Sequence, residues 1–230
     1  AQTSAAPGHA ARGATACLNG NLLRAFAQLG NDDPRIEGSR EALARMVLRD
    51  GFCCRFNVAG KAPAPMSAGL PCAWGAIKAL AVFAAVPATK RTAVMDTATA
   101  TGIDFLLGTG GVQDSARRLA SGDYPLAGAC NRAWQSFGFP PDDTSDLLEA
   151  LDILGELGLG RDPRLSAAIE VVRGQQDRSG RWALDHTPDN TWAKLGSVGE
   201  PNPWFTLRAM LVLARWDGRR EPTDEDRDSV

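Results

Sequence analysis

One tyrosine and two histidines in 230 residues leave this chain little of the usual material for proton transfer near neutral pH. Any catalysis must lean on carboxylates, thiols or the shape of a pocket. Lysine and arginine (25) nearly balance aspartate and glutamate (27), and the basic residues are scattered. The charge footprint of a nucleic-acid or anionic-membrane partner is therefore missing, and no nucleic acid is expected. Long apolar runs are missing too. Arg, Lys or Asp interrupts every hydrophobic segment before the roughly 18–20 residues a bilayer crossing needs, so no transmembrane segment is expected. Five cysteines (Cys17, Cys53, Cys54, Cys72, Cys130) are too few and too irregular for a disulfide scaffold, which points to reduced thiols and a cytoplasmic protein.

What is present is a repeat. LGNDDPRIEGSREALARMVLRDGFC (29–53) and LGLGRDPRLSAAIEVVRGQQDRSGRW (157–182) align, with one residue inserted before the Asp-Pro and a constant offset after it, Asp33-Pro34-Arg35-Ile36 on Asp162-Pro163-Arg164-Leu165, Leu43 on Val172, Gly51 on Gly180 and Cys53 on Trp182. In each copy a helix ends at Leu-Gly, the glycine taking the left-handed cap, and an Asp caps a second helix whose first turn carries Pro. Each copy is a helical hairpin. The leading helices, 16–30 and 146–158, carry apolar residues on nearly every turn and read as buried on more than one side. Their partners, 34–49 and 163–176, carry one apolar stripe and read as half exposed. A third, degenerate hairpin is predicted from an apolar helix over 71–87 and a more polar one over 90–107, and a final core helix over 201–216. The links 55–70, 108–141 and 183–200 exceed ordinary connections, and such links often carry sites. Residues 1–13 read as a flexible segment, 14–217 as one domain and 218–230 as a disordered charged tail.

Gln176-x-x-x-Gly180-x-Trp182 resembles the QW repeat of squalene and oxidosqualene cyclases and the related repeat of protein prenyltransferase β-subunits. Cys17-Leu18-Asn19-Gly20, Pro71-Cys72, Asp146-Leu147-Leu148-Glu149 and the run from Pro201 to Ala209 are similar to elements of squalene-cyclase-like and prenyltransferase-like bacterial proteins. The resemblance covers most of the chain. It implies an all-α fold, an α/α toroid of helical hairpins with a central apolar cavity, and in that family the Gln stitches a helix end while the Trp covers the adjacent helix. The chain also departs from the family. It has neither the Asp-x-Asp-Asp of the cyclases nor an Asp-x-Cys of the prenyltransferase zinc site, and it counts fewer hairpins, which implies an open ring, half of an oligomeric one or part of a longer protein.

Several constellations bear on chemistry, each with a plainer alternative. Cys17, Cys54, Cys72 and Cys130 are candidate zinc ligands at one end of the ring, or else small core residues. Asp142, Asp143 and Asp146 imitate a magnesium-diphosphate motif, although an Asp at this position is also an ordinary helix N-cap. His186, beside Asp185, is a candidate base or a solvated link residue. Trp74, Trp134, Trp192 and Trp204 would line an apolar pocket or pack in the core, and Lys194 and Arg208 would meet a diphosphate or water. Two functions follow as expectations. One is an enzyme that binds an isoprenoid or another apolar small molecule in a central cavity. The other is a non-catalytic toroid, zinc-stapled or not, that binds a protein partner or self-associates to complete the ring.

Overall fold

A computed structural model describes residues 16–31, 33–50, 73–107, 136–141, 145–188 and 193–219. Among them lie seven α-helices: α1 (Ala16–Gln28), α2 (Pro34–Asp50), α3 (Ala73–Ala85), α4 (Ala93–Leu107), α5 (Leu147–Leu154), α6 (Ser166–Gly174) and α7 (Pro203–Trp216). No strand occurs among the described residues, only three isolated bridges in the links. The all-α class holds, and none of these helices is long and apolar enough to cross a membrane. Two compact units divide the chain, Ala1–Ala98 and Thr99–Val230, with the boundary inside α4.

In the first unit α1 packs along α3. The helices approach so closely at Gly20 that a methyl group there would lie 2.5 Å from the carbonyl oxygen of Lys78, a contact only glycine allows. The Ala-rich sequence of α3 permits this approach, and every residue from Ala73 to Phe83 except Trp74 is buried. α2 is amphipathic, with Ile36, Leu43, Ala44 and Val47 in the core. α1 departs from the two-sided burial its sequence leads one to expect. Its inner face (Ala16, Gly20, Leu23) is covered, but Leu18, Leu22, Phe26 and Leu29 are exposed.

The second unit is built on α5, whose Leu147, Leu148, Ala150, Leu151, Ile153 and Leu154 are all buried. Helical geometry extends past α5 through a wider π turn, Gly155–Leu159, so the expected boundary near 158 is kept in changed form. α6 opens with a 3₁₀ turn, Pro163–Leu165, rather than a full α-helical start. α5 and α7 run the same way. Phe137, whose neighbour Gly138 bonds to Asp146 at the start of α5, packs at 5.1 Å on Phe205 in the first turn of α7. At the other end Arg215 of α7 donates to Asp152 of α5 at 3.3 Å. α6 returns the chain between them, entering where Arg161 packs on Gly218 and ending at Trp182 beside the start of α7.

The two repeat copies have the same local chemistry. Gly30 and Gly158 both end their helices in the left-handed region (φ +67° and +87°). Asp33 accepts the amide of Arg35 at 2.8 Å and clasps its guanidinium, Nη2 to Oδ2 at 2.6 Å. Asp162 does the same to Arg164, at 2.9 and 2.6 Å. They differ in solvation, since the Asp162 and Arg164 side chains are 14% and 24% exposed and those of Asp33 and Arg35 30% and 90%. The Arg164 clasp, against a smaller opposing effect of burial, holds the Asp162 carboxyl below its ordinary range. A depressed carboxyl adds stability above the unfolded-state value near 4, which is lost as pH falls through the folded value. Asp162→Ala should therefore cost about 1 kcal/mol at neutral pH. Asp33→Ala should cost less, and urea melts in acid should bring the wild type and Asp162→Ala together.

Candidate functional site

The N-terminal ends of α5 and α7 meet at a knot of link residues, and this is where the chemistry-bearing side chains of the second unit gather. Phe137 and Asp185 exchange hydrogen bonds, the Phe137 amide donating to Asp185 Oδ2 at 2.8 Å and the Asp185 amide to the Phe137 carbonyl at 2.9 Å. His186 follows, with Nδ1 3.2 Å from Ser136 Oγ and its ring packed on Gly138. Asn202 caps α7, its Oδ1 accepting the Phe205 amide at 3.0 Å while Nδ2 donates to the Leu195 carbonyl at 2.6 Å. Pro203 follows it at a first-turn position where no amide is missed.

Trp182 ties this knot to α6. Its indole is 1% exposed, and Nε1 donates to the Val172 carbonyl in the last turn of α6 at 2.7 Å. Its amide donates to Thr206 Oγ1 at 3.1 Å, and its carbonyl accepts from the Asn202 amide at 2.9 Å. The turn before it is held by Asp177, which accepts the amides of Ser179 and Arg181 at 2.8 and 2.9 Å, and Gly180 takes φ +78°. The roles expected for this motif are thus redistributed. The indole, rather than the glutamine, stitches the helix end, and Gln176 stands exposed at the surface.

At the start of α5, Asp146 is buried and its carboxylate accepts the Glu149 amide at 2.7 Å and the Gly138 amide at 3.3 Å. Desolvation pushes its carboxyl up, against the pull of the Arg208 cation and these two amides. Arg208, in the second turn of α7, and Ser145 each hold a buried polar atom, Nη1 and Oγ, without a hydrogen-bond partner. Beside them Trp204 stacks on Phe139 at 6.2 Å and begins an apolar stripe, Trp204, Leu207 and Met210, exposed at 55%, 51% and 54%.

Of the residues singled out from sequence, Asp146, His186, Trp204 and Arg208 come together here, Asp146 as the N-cap its position also allowed. Lys194 is exposed. Trp74 lies in α3 of the first unit, its Nε1 buried without a partner, and Cys17 is half-buried near the start of α1. Asp142, Asp143, Trp134, Trp192, Cys54, Cys72 and Cys130 lie outside the described residues. No group of three His, Cys, Asp or Glu able to hold a metal stands among the described residues. Sequence reasoning missed Ser136, Asp185, Asn202 and Thr206. Asn202 was findable as a cap residue directly before a proline, whereas Ser136 and His186 are 50 positions apart and share no periodic signal. No protein-family model matches the chain, and no curated protein or solved structure matches it.

A carboxyl whose folded value is raised binds more protons folded than unfolded, so it lowers stability as pH rises through that value. Arg208 limits the rise. Arg208→Met should therefore lose stability more steeply than the wild type as pH increases above the ordinary carboxylate range. Asp146→Asn should abolish this difference in thermal melts across pH, while itself costing about 1 kcal/mol, because the carboxamide keeps one acceptor oxygen and loses the second.

Proposed function

We propose that this chain is a helical-hairpin protein of the α/α-toroid type, resembling terpenoid cyclases and protein prenyltransferases, that binds an isoprenoid or similar apolar molecule along the outer face of α7. The observation that carries this reading is the stripe Trp204, Leu207 and Met210 on the same helix as Arg208, whose buried Nη1 has no hydrogen-bond partner, near the buried Asp146 and Ser145. An apolar wall with a few convergent polar groups at one end is the usual makeup of a ligand site. The same-way run of α5 and α7, with α6 returning between them, is the relation that successive inner helices have in a toroid. A polar ligand head would satisfy Arg208 Nη1 and Ser145 Oγ, while the apolar body would cover about half the exposed Trp204 ring.

In this reading the reaction is left open. Asp146 serves chiefly to cap α5, since it spends its carboxylate on two backbone amides, and magnesium binding by Asp142, Asp143 and Asp146 is a proposal from the sequence alone. Zinc held by Cys17, Cys54, Cys72 and Cys130 and a cytoplasmic location are proposals from the sequence alone.

Titration with an isoprenoid alcohol and with its diphosphate, followed by tryptophan fluorescence, tests the reading. The wild type should bind, and Trp204→Ala should weaken binding at least about tenfold while leaving the thermal midpoint nearly unchanged, as expected for an exposed anchor residue. Failure of the wild type to bind, or equal binding by the variant, would sink it. One observation favours a second reading, an assembly module: the exposed apolar face of α1, formed by Leu18, Leu22, Phe26 and Leu29. A concentration-dependent mass in sedimentation, lost in Leu22→Asp, would support that alternative.

A further inference from the structure

The first unit holds a second feature, independent of the reading above. Where the chain turns from α1 into α2 and from α3 into α4, an open cleft of about 540 Å³ is lined by Asn31, Asp33, Glu37, Arg40, Val86, Thr89, Lys90, Arg91 and Met95. Its composition is polar, with Arg40 from α2 and Lys90 and Arg91 from the turn before α4 lining one cleft. We propose that this cleft is a binding site for a phosphate-bearing small molecule, with Arg40, Lys90 and Arg91 as its cationic wall.

Three observations support this assignment. Arg40 Nε is buried with no hydrogen-bond partner. A buried guanidinium N–H left unmade costs more than an ordinary unpaired group, so an arriving anion has a donor ready to meet it. Arg91 is held in place by donating Nε to the Val86 carbonyl at 2.9 Å and Nη2 to the Ala84 carbonyl at 3.4 Å, at the C-terminal end of α3. That leaves Nη1 available on a guanidinium whose orientation is already fixed, so little conformational entropy is lost on binding. One lining carboxylate is already neutralised. Asp33 is clasped by Arg35 through two contacts, Nε to Oδ1 at 3.0 Å and Nη2 to Oδ2 at 2.6 Å. Among the described lining residues, Glu37 is then the carboxylate without such a clasp, alongside the Arg40 and Arg91 guanidinium groups. Asn31 spends its Oδ1 on the Asp33 amide at 3.1 Å, so its Nδ2 hydrogens are free to donate, as is the Thr89 hydroxyl at the rim. Several fixed donors facing one small volume suit a tetrahedral oxyanion carrying more than one charge better than a single carboxylate.

The test is calorimetric titration of inorganic pyrophosphate, orthophosphate and citrate into the full chain, with Arg40→Met and Lys90→Met alongside. The expected result is one-to-one binding of pyrophosphate in the submillimolar range, weaker orthophosphate and still weaker citrate. Each substitution should weaken pyrophosphate about tenfold, the effect of losing one charge-assisted hydrogen bond. Absence of pyrophosphate binding by the wild type, equal affinity in Arg40→Met, or tighter binding of citrate than of pyrophosphate would each overturn the proposal. Circular dichroism checks that Arg40→Met folds. Should it not, Lys90→Met at the exposed rim decides the matter, and unchanged affinity there overturns the assignment.

Discussion

A helix that stops inside a packed unit strands its last carbonyls, and burying one without a donor costs roughly 1–3 kcal/mol. In the second unit the end of α6 is met by the Gln175 and Gln176 amides, which reach the Val172 and Arg173 carbonyls, and by one side chain. Trp182 places a nearly inaccessible indole beneath α6 and donates Nε1 to the Val172 carbonyl, while its own backbone is bonded to Thr206 and Asn202 at the start of α7. A single residue thus ties the end of one helix to the start of the next. The N-cap of α7, the Phe137–Phe205 contact and the charge of Arg208 felt by Asp146 all belong to that same helix start.

The consequence for function is positional. Because α7 starts beside the link that carries Asp185 and His186, residues far apart in sequence share one neighbourhood, and the outward face of α7 rises directly from it. The inner face of α7, with Phe205, Ala209 and Val212, is buried, so the exposure of Trp204, Leu207 and Met210 does not come from loose packing. It is a second apolar face on a helix already anchored. α1 repeats the pattern in the first unit, with Leu23 inside and Leu18, Leu22 and Phe26 outside. Apolar residues on two faces of a helix make sense where something other than the helix's own unit covers the second one.

Much of the architecture was legible in the sequence because it is written in short-range chemistry. The Asp-Pro-Arg starts at 33 and 162, the glycines at 30 and 158 and the period of α5 all act within a turn or two of themselves, and α1, α2, α5 and α6 fall where those signals lie. At Trp182, within the stretch singled out as QW-like, the indole bonds the end of α6 while Gln176 stays at the surface, a division that the sequence did not carry. What was not legible is which apolar faces stay uncovered, since a helix with two greasy sides reads the same whether or not a neighbour is present. The pairing of Ser136 with His186 and of Phe137 with Asp185 was hidden too, because links of irregular backbone carry no periodicity. The cationic cleft was hidden for a different reason. Arg40 reads as an ordinary surface position of an amphipathic helix until the 88–91 turn is brought alongside it.

Amide hydrogen exchange on Trp182→Phe, compared with the wild type, tests the central claim most directly, because the phenyl ring keeps most of the buried surface and removes only the indole donor. Protection should fall together in α6, 166–174, and in the first turns of α7 from 203 onward. Loss confined to the 177–181 turn, with both helices exchanging as in the wild type, would contradict the claim that Trp182 holds the two helix ends in one unit.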